Sequence, residues 1–116
     1  MAVKCIAERF YFTAGMFLIR IINIMKKLEH CTYILLSLKD KQFYTGYTTN
    51  LKQRLTAHFH GYSANTSFRR PFTLIFCEYF LSKKDAMRRE RYFKINPGKK
   101  TIKLMLRDSL LELRPD

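Results

Sequence analysis

Acidic side chains are scarce in this chain. Nine Asp and Glu stand against 22 Lys and Arg in 116 residues, a formal net charge of +13 at pH 7. That imbalance favours a polyanionic partner, because each phosphate neutralised by a cation releases condensed counterions. It does not name the polyanion, since ribosome-associated and membrane-surface proteins are also basic. Cysteine is sparse too: Cys5, Cys31 and Cys77 are odd in number and widely spaced. No Cys-x-x-Cys is present, and His30, His58 and His60 complete no zinc pattern. Free thiols in a reducing, cytoplasmic setting are therefore expected. No uninterrupted apolar run reaches membrane length: residues 10–25 are largely apolar, but Arg20 divides them. Lys4 and Arg9 mimic the start of a signal peptide, yet Glu8 sits among them and no small-x-small cleavage site follows. Repeats and low-complexity tracts are absent.

What is present is enough for one folded domain: 47% hydrophobic and 15% aromatic residues in a chain of this length. Met25-Lys26-Lys27 reads as a natural chain start. Residues 1–25 are thus read as an apolar extension, either a mis-assigned start or disordered, with a helix packed on the domain as the other reading. The domain itself is placed at 26–108, with a C-terminal tail at 109–116.

Within the domain, residues 32–38 and 42–47 are β-prone runs around the polar break Lys39-Asp40-Lys41, which predicts a hairpin. Asn-Gly turn chemistry is missing, so the turn type stays open. Asn50 with Gln53 three later starts a helix, Leu51, Leu55 and Phe59 form its apolar stripe, and Gly61 stops it. Residues 62–71, ending in Arg69-Arg70-Pro71, read as a basic loop. Residues 72–80 are apolar on both faces, with Phe72, Leu74 and Phe76 on one, which predicts a central strand. Ser82 with Asp85 caps a second helix, Asn96-Pro97-Gly98 ends it, and a third, basic helix spans 99–106. The order β-β-α-β-α-α is an α+β plan.

Four side chains in this plan suit phosphodiester chemistry. Tyr33 and Tyr44 lie on paired strands, and a phenol, with an ordinary pKa of about 10, can take a proton only if neighbouring cations or a metal lower that value. Arg54 shares a helix face with His58 at i+4, and a guanidinium there can grip phosphate with two hydrogen bonds. Glu90 shares an inward stripe with Ala86 and Phe93, where a carboxylate is costly unless paired or bound to metal. Each has a blander reading: Arg54 as a solvated arginine, the tyrosines as sheet-edge aromatics, Glu90 as an ion pair with Lys94 or with Arg88, Arg89 or Arg91.

The four together are more specific. The pattern Tyr33-Ile34-x9-Tyr44-x-Gly46-x7-Arg54-x3-His58, with Ala86-x3-Glu90 downstream, resembles the GIY-YIG nuclease family over residues 32–106. The likeness is to its small stand-alone bacterial branch, which is similar to the N-terminal domain of the bacterial excinuclease. Thr32 stands where the signature has Gly, and Thr45 where it has the second Ile; neither position supplies a catalytic group in the family. The resemblance implies a three-stranded antiparallel sheet flanked by helices, and metal-dependent endonuclease activity on DNA, with repair or recombination as its setting. It implies that Tyr33 activates water with Tyr44 assisting, that Arg54 holds the phosphate, and that Glu90 binds Mg²⁺ or Mn²⁺. His58 would orient water or phosphate. Arg69, Arg70, Arg88, Arg89, Arg91, Lys99 and Lys100 would form the nucleic-acid surface. The rival reading is a nucleic-acid-binding module that keeps the fold without cutting.

Overall fold

The computed structural model describes residues 11–26 and 28–114. In chain order the elements are helix α1 (Tyr11–Lys26), strands β1 (His30–Ser37) and β2 (Phe43–Thr48), helix α2 (Leu51–His60), a 3₁₀ turn (Ser67–Arg69), strand β3 (Phe72–Phe80), and helices α3 (Lys83–Lys94), α4 (Asn96–Met105) and α5 (Arg107–Glu112). The sheet is three-stranded and antiparallel in the order β2-β1-β3. The class is α+β.

The central strand is β1, not 72–80. Every residue from 31 to 37 is buried, because β1 is paired on both edges and covered on both faces. β3 is an edge strand, and its Cys77 and Tyr79 are exposed. The expected Phe72-Leu74-Phe76 face is broken as well. The β1–β3 register shifts between Ile34 and Leu35, and an extra residue at such a bulge reverses the alternation. Phe72 and Leu74 pack with Cys31, Tyr33 and Leu35 on one face, under Leu51 and Leu55 of α2. Phe76 turns to the other, where Ile34 meets Phe93 of α3 and Ile102 of α4.

Helix α2 begins as expected: the Asn50 side chain accepts from Gln53 N at 3.1 Å. Gly61, at φ 76°, closes it in the left-handed region. The inward stripe differs from the expectation, for His58 is fully buried while Phe59 is 47% exposed. At about 100° per residue, i+7 returns to within about 20° of Leu51, whereas i+8 departs by about 80°. Helix α4 starts at Asn96-Pro97-Gly98, the tripeptide expected to separate two helices. Only Ile95 separates them, and Pro97 sits in a first turn, where a missing N–H costs nothing.

Part of the tail expected at 109–116 lies in α5, while Pro115 and Asp116 lie outside the described residues. Of the 1–25 extension, residues 1–10 also lie outside them. Residues 11–25 are helical within α1, and side chains 15–22 are exposed. Among the described residues no helix is long and apolar enough to cross a membrane.

These positions predict unequal costs on α2 and α3. Phe93→Ala should destabilise the domain by about 3–5 kcal/mol, the range for emptying a buried aromatic site. Phe59→Ala should stay within about 0.5 kcal/mol. Urea unfolding of both variants checks the assignment.

Candidate active site

Tyr33 lies opposite Gly46 in the β1–β2 ladder, and Leu35 lies opposite Tyr44. Both tyrosines therefore project from the face covered by α2. The Tyr33 ring extends over Gly46, where an added Cβ would collide with its Cζ and hydroxyl oxygen. This is why the spacing is Tyr-x-Gly: the second residue after Tyr44 returns to the same face and must leave room for a phenol.

Helix α2 closes over that phenol. His58 Nε2 lies 2.8 Å from the Tyr33 hydroxyl oxygen, and Arg54 Nε donates to the same oxygen at 3.4 Å. Arginine only donates, so His58 Nε2 is the one of these two nitrogens that can accept the Tyr33 proton. The Tyr44 ring meets His58 edge-on at 5.0 Å, and Phe72 backs the imidazole at 6.1 Å. On its far side, His58 Nδ1 is 2.8 Å from Thr66 Oγ1. Tyr33, His58 and Thr66 have no exposed surface, and Arg54 is partly exposed.

The electrostatics differ from the sequence expectation. Burial pushes the Tyr33 phenol up to about 12, opposed by Arg54. The lysines and arginines expected to lower it are represented at the phenol by Arg54 alone, and desolvation prevails. Burial first, and Arg54 second, lower the His58 pKa from its usual 6.5. His58 is thus a neutral acceptor at pH 7. Like Tyr33, it has no contact with bulk water in this arrangement.

Among the described residues Glu90 makes no hydrogen bond to this network; it lies on α3, whose Phe93 packs with Ile34 on the other face of the sheet. That helix is tied to β1 by Thr32 Oγ1, which donates to Ala86 O at 2.8 Å. The Glu90 side chain is 12% exposed, and its Oε1 accepts from Lys94 Nζ at 2.6 Å. The i+4 ion pair that the sequence leaves open is therefore formed. Among the described residues no three of His, Cys, Asp or Glu stand together as a metal cage. A lone carboxylate with one oxygen engaged still suits Mg²⁺, which keeps several waters and takes substrate phosphate oxygens.

The expected nucleic-acid residues fall into two groups. Arg69 donates to Asp40 at 2.8 Å and holds that carboxyl down at about 2. Arg88 pairs with Asp85, and Arg89 with Glu78 at 2.6 Å over the Phe93 ring. Arg70 Nε donates to Ser67 O. Arg91, Lys99 and Lys100 are exposed and, among the described residues, form no ion pair. Thr66 is a site residue that sequence reasoning misses. It sits in a Ser- and Asn-containing loop, and nothing in its spacing announces a histidine partner.

Two tyrosines of a small antiparallel sheet meet an arginine and a histidine of the helix that covers it. A family model described as GIY-YIG catalytic domain matches residues 29–103, and the chain belongs to that family. It is 41% identical over 78 residues to the UPF0213 protein SH2523 of Staphylococcus haemolyticus, a match covering 66% of this chain and 94% of that one. It is 42% identical over 71 residues to the UPF0213 protein YazA of Bacillus subtilis, covering 60% and 71%. The solution NMR structure of the UPF0213 protein BH0048 from Bacillus halodurans is 39% identical, with a TM-score of 0.42, covering 66% of this chain and 83% of that one.

Histidine titration by NMR should place His58 below 6.5. The unfolded imidazole then binds protons more readily than the folded one, so stability rises with pH through the window below 6.5. His58 contributes its full share above pH 6.5 and loses it as pH falls toward the depressed folded value. A folded His58 titrating above 6.5 would contradict this environment. Gly46→Ala should cost about 1–3 kcal/mol by overpacking and displace the Tyr33 hydroxyl from His58, read by urea unfolding and the His58 titration.

Proposed function

We propose that this chain is a metal-dependent endonuclease that hydrolyses phosphodiester bonds of DNA in the cytoplasm, in repair or recombination. The observation that carries the reading is the Tyr33 hydroxyl held between His58 Nε2 and Arg54 Nε. A phenol raised to about 12 is almost wholly protonated near neutral pH, so its phenolate is too scarce to act as the base. It is a good relay: Tyr33 oxygen takes a proton from the attacking water while its own passes to neutral His58. Arg54 keeps terminal N–H groups for phosphate. Its bond to Tyr33 is at the long limit for a hydrogen bond, so turning to phosphate costs little and uncovers the buried phenol. Tyr44 braces the imidazole edge-on. Arg70, Arg91, Lys99 and Lys100 supply cations along the nucleic acid.

Glu90 would hold the Mg²⁺ or Mn²⁺. The metal, when bound, supplies a Lewis acid for the phosphate and leaving oxygen. A second reading is a binding module that keeps the fold without cutting; it is favoured by two observations, the complete burial of Tyr33 and the Glu90–Lys94 pair.

Cleavage of supercoiled and branched DNA with Mg²⁺, Mn²⁺ or EDTA decides between them. The enzyme reading expects metal-dependent cutting, lost in Tyr33→Phe and Glu90→Gln with DNA binding retained. Arg54→Ala should lower the rate about 10²-fold or more, the scale for removing a charge-stabilising donor. Binding without cutting on any substrate would favour the module. The relay also sets the pH profile: the rate should fall at acid pH as His58 is protonated, on a limb displaced below the ordinary imidazole value. A rate that instead climbs continuously through alkaline pH would identify the Tyr33 phenolate as the base.

A further inference from the structure

We propose that Thr66 is a positioning residue for hydrolysis: it holds His58 in the tautomer with the proton on Nδ1 and so leaves Nε2 bare to receive the Tyr33 proton. The proposal rests on the relay reading above and extends it into a loop that carries none of the family signature.

The direction of every proton in the cluster follows from the partners. Of the two nitrogens at hydrogen-bond distance from the Tyr33 oxygen, Arg54 Nε and His58 Nε2, only the second can accept, and it is a nearer partner than the Tyr44 hydroxyl. Nε2 is therefore unprotonated. A neutral imidazole carries one proton, so it lies on Nδ1 and is donated to Thr66 Oγ1 at 2.8 Å. The Thr66 hydroxyl must then donate elsewhere, and its remaining partner is Ser63 O at 3.5 Å, a weak contact to a carbonyl that also accepts from Thr66 N and Ser67 N. In the reverse arrangement, with Thr66 donating to Nδ1, the proton would sit on Nε2. The buried Tyr33 hydroxyl proton would then lose its acceptor at hydrogen-bond distance and be left with the Tyr44 hydroxyl. A buried donor moved to a poorer partner makes that arrangement the less favourable one.

Thr66 is also built for this use. It has no exposed surface. Its backbone N–H donates to Ser63 O at 3.1 Å, and Ser67 N donates to the same carbonyl at 3.0 Å, which fixes the turn. It occupies the N-cap position of the 3₁₀ turn, where Thr side chains ordinarily accept a backbone N–H, yet it makes no such bond. Its oxygen is committed to His58 instead.

In the reacting site the balance is closed. The water O–H bond breaks as its oxygen attacks phosphorus; the proton passes to Tyr33 oxygen, and the Tyr33 proton to His58 Nε2. The P–O bond to the leaving oxygen breaks, and that oxygen takes a proton from solvent. His58 becomes a cation with both nitrogens protonated, and the Nδ1–H bond to Thr66 becomes charge-assisted and stronger. After the product leaves, the proton returns to solvent through Tyr33.

The test compares Thr66→Val, which keeps the shape and removes the hydroxyl, with Thr66→Ser, which keeps the hydroxyl. Long-range ¹H–¹⁵N spectra of histidine-labelled protein read the tautomer directly. Parent and Thr66→Ser should show His58 protonated on Nδ1, and Thr66→Val should lose that preference. In cleavage, Thr66→Val should lower kcat about 10–100-fold, as other groups that orient a functional histidine do, with KM and DNA binding unchanged. Thr66→Ser should restore kcat. A parent protein with the His58 proton on Nε2 overturns the proposal, and this outcome needs no variant to fold. So does a Thr66→Val protein with unchanged tautomer and kcat. If the parent cuts nothing, the endonuclease reading falls, and the spectra still decide what Thr66 does to His58.

Discussion

The hydrogen bond from the Tyr33 phenol to His58 is the contact around which this domain is arranged. Tyr33 lies in the middle of the central strand, wholly removed from water. A hydroxyl there needs a partner, and the sheet cannot supply one because its backbone groups are used in the ladders. The partner comes from α2, which fixes the turn of that helix: His58 inward with Leu51 and Leu55, Arg54 at the rim, Phe59 outward. The ring also needs lateral room, which Gly46 provides on the neighbouring strand.

Burial of this pair shapes its chemistry. Desolvation makes a phenolate costly and an imidazolium costly, so both groups are held neutral at pH 7. Neutral groups joined by a short hydrogen bond can pass a proton along without either bearing charge in the resting state. Among the described residues Arg54 is the one cation bonded to the phenol, and its donation to Tyr33 limits the cost of burial. The surplus of positive charge lies elsewhere. Arg69, Arg88 and Arg89 spend theirs on Asp40, Asp85 and Glu78, so the field offered to a polyanion comes from cations such as Arg91, Lys99 and Lys100.

The helical layer on the other face has a different character. Phe93, Ile102, Ile34 and Phe76 make an apolar seam with no buried ionisable group at its centre. Glu90 lies at its margin, bonded to a lysine one turn on. The α2 face holds the polar cluster, and the α3 face holds the apolar seam.

Local pattern determined a good deal. The hairpin, the Asn50 and Ser82 caps, the Gly61 stop and the α+β order were legible because each depends on residues within a few positions of one another. The gathering of Tyr33, Tyr44, Arg54 and His58 was legible through a motif whose spacing matches two strand periods and a helix turn. Tertiary structure decided the rest. Which strand is central depends on pairing partners far along the chain, so 72–80 read as interior although β1 holds that place. The bulge in β3 sends Phe76 away from Phe72 and Leu74, and no local residue choice announces it. Pro97 looked like a breaker because its use as a helix start depends on how α4 packs. Thr66 could not be found from sequence at all: it is distant from every motif position, and only the buried Nδ1 of His58, which must be satisfied, gives it a role.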